Sequence, residues 1–479
     1  MMKQTTKNVK EKVKKIDFKE IKKAGIERDL KKYYILGNYP PLTVFEDVKE
    51  KGIDIFQENK QSEFDFYFHF PFCESKCNYC HFYSTRIDDE AVEKYLTNLK
   101  KDISMNQERL GRVKARSVYI GGGTPSLMKP KQISDLIQHI RRNFEIPTDI
   151  IFSMDMNPAL IRDPNFELKV ETMLQNGVNR FSIGGVELND SALLCQGRKH
   201  TAKDMLNLID YLKSLNPKPQ IATDMMIGVP NQTLETWNNT LEKLIEKEVD
   251  SIMTFPLMFK DAQPNWKEYV DNPDKFPSVK ERAEMYMLAM LKFQEAGYSH
   301  APIHYFNRSS DTMHQQQLNK FETLDETGLL GIGVSSFGFV NGYQYFNTCT
   351  IEDYNKRIEN SESPVWRALK LSQKQLFERE VMFKLFSRGL DKRKIEEKYG
   401  FSVDSEYSLV IQRLCEVGLL ESSPENLRLT QSGILFAEEV CDKFAGEDTR
   451  RKAEERALLV SPKDPIQRYN YNMIGHRLE

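Results

Sequence analysis

Three cysteines, Cys73, Cys77 and Cys80, fall within eight residues in the run FYFHFPFCESKCNYCHFYS. The spacing C-x-x-x-C-x-x-C lets three thiolates wrap one face of a cuboidal iron-sulfur cluster, and the fourth cysteine that full protein ligation would need does not follow closely. One iron is then left open, and an open coordination site is suited to catalysis. A zinc knuckle or three chance thiols are the competing readings. Zinc motifs pair C-x₂-C with a distant second pair, and His81, adjacent to Cys80, is awkwardly placed to complete a tetrahedron. Cys195, Cys349, Cys415 and Cys441 are scattered in apolar or mixed surroundings and read as small hydrophobes. An odd total of seven is no disulfide framework.

Around these thiols the chain alternates short runs rich in aromatic and β-branched residues with longer stretches of helical period. Six strands are predicted, ending at Phe70, Gly122, Met156, Gly185, Gly228 and Met258. Between them, TAKDMLNLIDYLKSL and SVKERAEMYMLAMLKFQEAG open with capping boxes, Thr201 with Asp204 and Ser278 with Glu281. Strands alternating with helices imply right-handed crossovers and a parallel sheet. Polar and glycine-rich residues recur after strand after strand, which favours an incomplete (β/α) barrel whose strand ends converge on one mouth. The cysteine loop directly follows the first strand. Glycines 121 to 123 follow the second and would let a ligand approach backbone closely, or would simply form a tight turn. Asp155, Arg198 and Asp224 lie at or near later strand ends, where carboxylates accept hydroxyls and a guanidinium takes a carboxylate; each alone could be a solvated loop charge.

The cysteine motif, with GGGTPS after the second strand, MNP after the third and DMMIGVP after the fifth, resembles the radical S-adenosylmethionine (SAM) superfamily. Within it the likeness is to the group around oxygen-independent coproporphyrinogen III dehydrogenase, from about Tyr39 to Phe444. The resemblance implies an α/β fold, a partial (β/α)₆ TIM-type barrel with a mostly helical, winged-helix-like C-terminal domain. It implies a [4Fe-4S] cluster on Cys73, Cys77 and Cys80 and a SAM chelated at the open iron. Tyr67, Gly122, Gly123, Asp155, Arg198 and Asp224 match positions that contact the first SAM; Tyr79 and Thr124 join them as cofactor-binding candidates, and Tyr67 is also a catalytic candidate. A second SAM is implied near GIGVSSFGF, which reads equally as a buried strand of small residues.

The chain departs from the dehydrogenase at three points. Phe82 replaces a further cysteine, Val186 a glutamine, and Asp155 a glutamate. Phe82 with Tyr83 instead resembles the class C radical SAM methyltransferases and cyclopropane-forming enzymes, which implies methyl or methylene transfer to a small-molecule metabolite over coproporphyrinogen oxidation; a haem chaperone or an anaerobic haem-degrading enzyme are further alternatives. His304 and His314 read as ordinary polar loop residues rather than haem ligands.

A length of 479 residues exceeds one ordinary core, and the segments expected are 1–60 (leader and helical or extended segment), 61–300 (barrel), 301–370 (extension with the second-SAM and substrate region), 371–446 (C-terminal domain) and 447–479 (charged tail). The lysine-rich N-terminus reads as a solvated leader, and the charged stretch after Gly446 as partly solvated. A net charge of -2 gives no global reason to expect nucleic acid, and Asp404 and Glu406 suit the winged-helix-like unit poorly to a major groove. No apolar run approaches a membrane span, so a cytoplasmic location is expected. The implied partners are a small-molecule substrate and a one-electron donor such as flavodoxin or ferredoxin.

Overall fold

The strand EFDFYFHF alternates with period two: Phe64, Phe66, Phe68 and Phe70 are fully buried on one side, while Asp65, Tyr67 and His69 occupy the other. The phenylalanines meet the covering helices, Phe66 and Phe68 stacking at 6.1 Å, and leave a polar inner face to the sheet. The structure is a computed structural model and describes residues 2–27, 39–57, 61–259, 263–310, 319, 328–387 and 389–457.

Six parallel strands, β1 (Glu63–Phe70), β2 (Lys114–Gly122), β3 (Ile151–Met156), β4 (Arg180–Val186), β5 (Gln220–Ile227) and β6 (Ser251–Pro256), lie side by side in chain order, as the sequence pattern predicts. A seventh, β7 (Gly328–Ile332), pairs parallel with β1, placing Gly331 opposite Tyr67. Beyond β7 the sheet continues antiparallel through Phe337–Val340, Tyr343–Asn347, Val365–Lys370 and Glu46–Asp47; beyond β6 it ends in Tyr305–Asn307 and Ser299–His300. The result is the expected partial (β/α) barrel, an open sheet of 13 strands with helices on its outer face. Both expected capping boxes are present.

GIGVSSFGF forms β7 and the strand after it, and its glycines have a packing reason. A Cβ on Gly331 would lie 2.0 Å from the Phe337 carbonyl oxygen. The intervening turn is tied to the barrel, since Gly333 N–H donates to Asp102 (3.2 Å) and Val334 N–H to Tyr95 Oη (3.3 Å).

The C-terminal region carries helices Gln373–Ser387, Lys392–Tyr399 and Val403–Glu416 and a three-stranded sheet, consistent with a winged helix. The single final helix expected from SGILFAEEVCDKF is instead two, Gln431–Leu435 and Ala437–Asp442, broken at Phe436.

Of the two ends expected to be solvated, the leader needs correction, while the stretch after Gly446 is partly exposed as expected over its described residues. The N-terminal stretch is a helix, Met2–Lys14, whose Val9 and Val13 are fully buried. Two valines four residues apart form a stripe narrow enough to be hidden among lysines, and it packs on the helix Val279–Glu295. The charged stretch after Gly446 continues as a helix, Glu447–Ala457, seated through Ala453 near Leu42 and Val44. No helix among the described residues is long and apolar enough to cross a membrane.

Candidate functional site

Every sequence-predicted site residue lies on the inner face or the C-terminal edge of β1 to β5, or in the loops leaving them. The cysteine loop leaves β1, and all three thiols are free and partly accessible. Thr124, just past β2, hydrogen-bonds Cys73 Sγ at 3.6 Å. Arg198, beyond β4, turns inward: Nη1 donates to Cys77 Sγ (3.4 Å) and reaches Tyr79 Oη (3.5 Å), while Nη2 donates to the Gly184 carbonyl. Arg198 is therefore no solvated loop charge. Asn78 N–H donates to the Gln196 carbonyl (3.0 Å), and the Gln263 amide donates to the Tyr79 carbonyl (2.7 Å), so the loop is braced from two neighbouring segments.

The glycine run is pressed against the exit of β1. Gly122 has φ +120°, and a Cβ there would sit 2.7 Å from the His69 ring; a Cβ on Gly123 would meet the Phe72 carbonyl oxygen at 2.5 Å. No larger residue lets these strand ends come so close. Gly122 N–H also donates to Asp155 Oδ2 at 3.3 Å, joining the glycine run to the carboxylate on β3.

Asp155 accepts a second hydrogen bond from the Tyr119 hydroxyl, and Asp224 on β5 accepts one from Ser182 Oγ at 3.2 Å. Burial raises Asp155 from the usual carboxylate range to about 7, with the nearby charge of Asp224 adding to the rise and Tyr119 and Gly122 opposing it. Burial likewise lifts Asp224 to about 6, against the pull of Arg180. Buried carboxyls held near neutrality at strand ends mark a functional site more often than a structural one. Tyr67 lies beside them, its ring stacked on Tyr119 at 6.1 Å and its hydroxyl 2.9 Å from His69 Nδ1. Desolvation holds His69 near 4, so this imidazole is neutral at physiological pH.

Sequence reasoning missed Tyr119, His69, Arg180 and Ser182. Strand periodicity could have found them: each is two residues along its strand from a flagged or polar inward position, as His69 is from Tyr67. The departures also acquire surroundings. Val186, with φ 68°, joins Ala192, Leu193 and Val229 in a small apolar cluster against Tyr79. Phe82 is 52% exposed and stacks on His81 at 4.6 Å. Tyr83 anchors the end of the loop, its hydroxyl accepting from Ile351 N–H at 3.0 Å. His304 lies in the turn before Tyr305–Asn307, a loop residue as expected, but it is buried and faces Glu438 at 3.5 Å; His314 lies outside the described residues.

Three free thiols on one loop, hydrogen-bond donors turned toward two of them, and buried carboxyls beneath a glycine run fit a thiolate-ligated cluster with a nucleoside cofactor beside it. Fold and site together define a cluster-dependent enzyme class built on a partial (β/α) barrel.

Comparison with known proteins carries the assignment to a family. Residues 67–244 match the radical SAM superfamily and residues 371–436 the HemN C-terminal domain. The heme chaperone HemW of Bacillus subtilis is 26% identical over 383 residues, covering 80% of this chain and 99% of that protein. The oxygen-independent coproporphyrinogen III oxidase of Helicobacter pylori is 26% identical over 404 residues, 79% of this chain and 85% of the relative. The fold matches coproporphyrinogen III oxidase (HemN) from Escherichia coli with a TM-score of 0.74 at 20% identity, over 88% of this chain and 99% of the other. The chain carries a radical SAM domain over residues 67–244 and a HemN C-terminal domain over residues 371–436, and the first implies a [4Fe-4S] cluster and SAM. The expected carbon transfer gains no support from these relatives, whose names point to haem metabolism.

Proposed function

We propose that this chain cleaves SAM reductively and uses the product to abstract hydrogen from a tetrapyrrole substrate, with oxidative decarboxylation of coproporphyrinogen III as the reading the relatives support best. The observation that carries SAM cleavage is the convergence of Arg198 and Thr124 on the thiols and of Asp155 and Asp224 on the space beside them.

In this reading Cys73, Cys77 and Cys80 each ligate one iron. The cluster that these three thiolates would hold would supply the electron, drawn from a carrier such as flavodoxin or ferredoxin, for reductive cleavage of SAM. Arg198 and Thr124, donating to cysteine sulfur, tune the thiolates and hold the loop's shape. Gly122 and Gly123 offer bare backbone to the cofactor, and Tyr79 closes one side of it. Asp155 and Asp224 accept the ribose hydroxyls, and Tyr67 with Tyr119 supplies a flat wall that excludes water. The turn Gly333–Ser336, beside the exit of β1, is where a second SAM would sit, and the stoichiometry of SAM binding tests it. The residue boundaries given above for barrel, extension and C-terminal domain belong to the same proposal.

The test is anaerobic incubation of the reconstituted, reduced protein with SAM and coproporphyrinogen III. Carbon dioxide and 5′-deoxyadenosine are expected; no 5′-deoxyadenosine above a Cys77→Ala control sinks SAM cleavage altogether. S-adenosylhomocysteine among the products would restore carbon transfer. A second reading, haem chaperone, is favoured by the near-complete coverage of HemW, and predicts stoichiometric haem binding without SAM turnover.

A further inference from the structure

Arg180 opens β4 with its guanidinium inside the sheet's inner face, and the residue is 0% exposed. Its Nη1 reaches Ser153 Oγ at 3.5 Å, but Nε and Nη2 have no hydrogen-bond partner among the described residues. A buried arginine normally spends its donors on a carboxylate, often bidentately. This one does not, although its electrostatic neighbours are Asp155 and Asp224, together with the hydroxyls of Tyr119 and Tyr305.

The two carboxyls and the arginine occupy three adjoining strands, with the arginine on the middle one. Asp155 on β3 faces Tyr119, Gly122 N–H, Asp224 and Arg180; Asp224 on β5 faces Ser182, Arg180 and Arg198. Two carboxylates so buried and so near each other cannot both ionise without a cation. A direct salt bridge would supply one, but it would also consume the oxygens that point toward the site. Arg180 supplies the charge from further off, and the acceptor lone pairs stay available.

We infer that Arg180 is a positioning residue for the nucleoside end of SAM, its buried charge holding Asp155 and Asp224 as carboxylates that accept ribose hydroxyls through the lone pairs their present hydrogen bonds leave. This rests on the proposed ribose contacts of Asp155 and Asp224. It adds the group that makes them competent at neutral pH, and it accounts for an arginine whose donors are otherwise unspent.

The experiment is anaerobic calorimetric titration of SAM into cluster-loaded protein between about pH 6 and 9, spanning the range in which the two carboxyls lose their protons. Wild-type affinity rises through about pH 7, where Asp155 loses its proton, and then levels off. In Arg180→Gln the same rise moves upward by about one pH unit or more, which is a weakening of about tenfold at neutral pH that disappears at the alkaline end. Arg180→Lys keeps the charge and the wild-type profile. A loss in Arg180→Gln that is equal at every pH is what a purely space-filling arginine gives, and it overturns the inference. If Arg180→Gln does not fold, infrared titration of aspartate-labelled wild-type protein decides instead. Asp155 and Asp224 ionised above about pH 7 support the role, and either one still protonated above about pH 8 overturns it. The ribose reading fails separately, if Asp155→Asn and Asp224→Asn both bind SAM as tightly as wild type.

Discussion

At the barrel mouth, polar groups are crowded out of water: Asp155, Asp224, His69, Arg180 and Arg198 lie within one shell of strands. In the C-terminal region apolar filling prevails and buried charge is paired. Phe377, Val381, Leu414 and Leu427 fill its interior, the buried Lys392 pairs with Asp404, and Glu380 pairs with Lys398, each at 2.6 Å. Burying a polar group is unfavourable unless it is fully paired, so such crowding persists where chemistry requires it. Apolar filling needs no such reason. The mouth therefore holds function at some expense of stability, and the C-terminal region holds stability with little direct part in SAM cleavage. Substitutions should separate the two.

The sharpest separation is Cys77→Ala. Removing one of three ligands should abolish the cluster's visible absorbance and all 5′-deoxyadenosine, while the thermal midpoint of the cluster-free protein stays within a degree or two, because the thiol is partly exposed. An intact cluster spectrum in the variant would break the assignment. Next in size is Arg198→Met, which removes the donors to Cys77 Sγ and Gly184 and should lower 5′-deoxyadenosine formation by about 10- to 100-fold. Its specific signature is a shifted cluster potential, measured by spectroelectrochemistry.

Asp155→Asn sharpens the comparison, because stability and function should move in opposite directions. In the folded chain Asp155 holds its proton up to about 7, whereas an exposed aspartate loses it near 3.8. Between those values the folded chain binds more protons than the unfolded one, so this residue's contribution to stability falls as pH rises. The amide cannot ionise, and at pH 7 to 8 the variant should be more stable by about 2 kcal/mol, the advantage vanishing toward pH 4. SAM affinity should fall by about tenfold. Thermal melts across pH together with SAM titration check both halves.

The six strands, their order and the cluster loop were legible because they rest on local patterns: alternation in EFDFYFHF, cysteine spacing, and glycines after a strand. Asp155, Arg198 and Asp224 were flagged by position at strand ends, but whether they turn inward was not legible. Arg198 reaches Cys77 across 121 residues, a contact that no local window contains. Tyr119 and Arg180 were passed over because an aromatic or a single charge in a strand reads as ordinary, and only the register of β2, β3 and β4 sets both level with Ser153, two residues before Asp155. The N-terminal helix misled for the converse reason. Its lysines dominate the composition, and the two valines that seat it, Val9 and Val13, are a minority of its residues.

The smallest effect on chemistry should come from the largest apolar deletion in the C-terminal region. Phe377 is fully buried among the rings of Tyr399, Phe401 and Tyr407, at centroid distances of 6.1, 5.3 and 6.0 Å. Phe377→Ala removes that hub and leaves a cavity, a loss of about 3 to 5 kcal/mol in denaturant unfolding. Below the new midpoint, 5′-deoxyadenosine formed per folded molecule should equal that of wild type, since the rings packed against Phe377, those of Tyr399, Phe401 and Tyr407, belong to the C-terminal region. If SAM cleavage instead falls together with stability, the C-terminal region helps to shape the mouth, and the division between the two regions fails. A normal rate of SAM cleavage with substrate turnover lost would place the region's role in covering the substrate, as a wall of the mouth rather than a part of its chemistry.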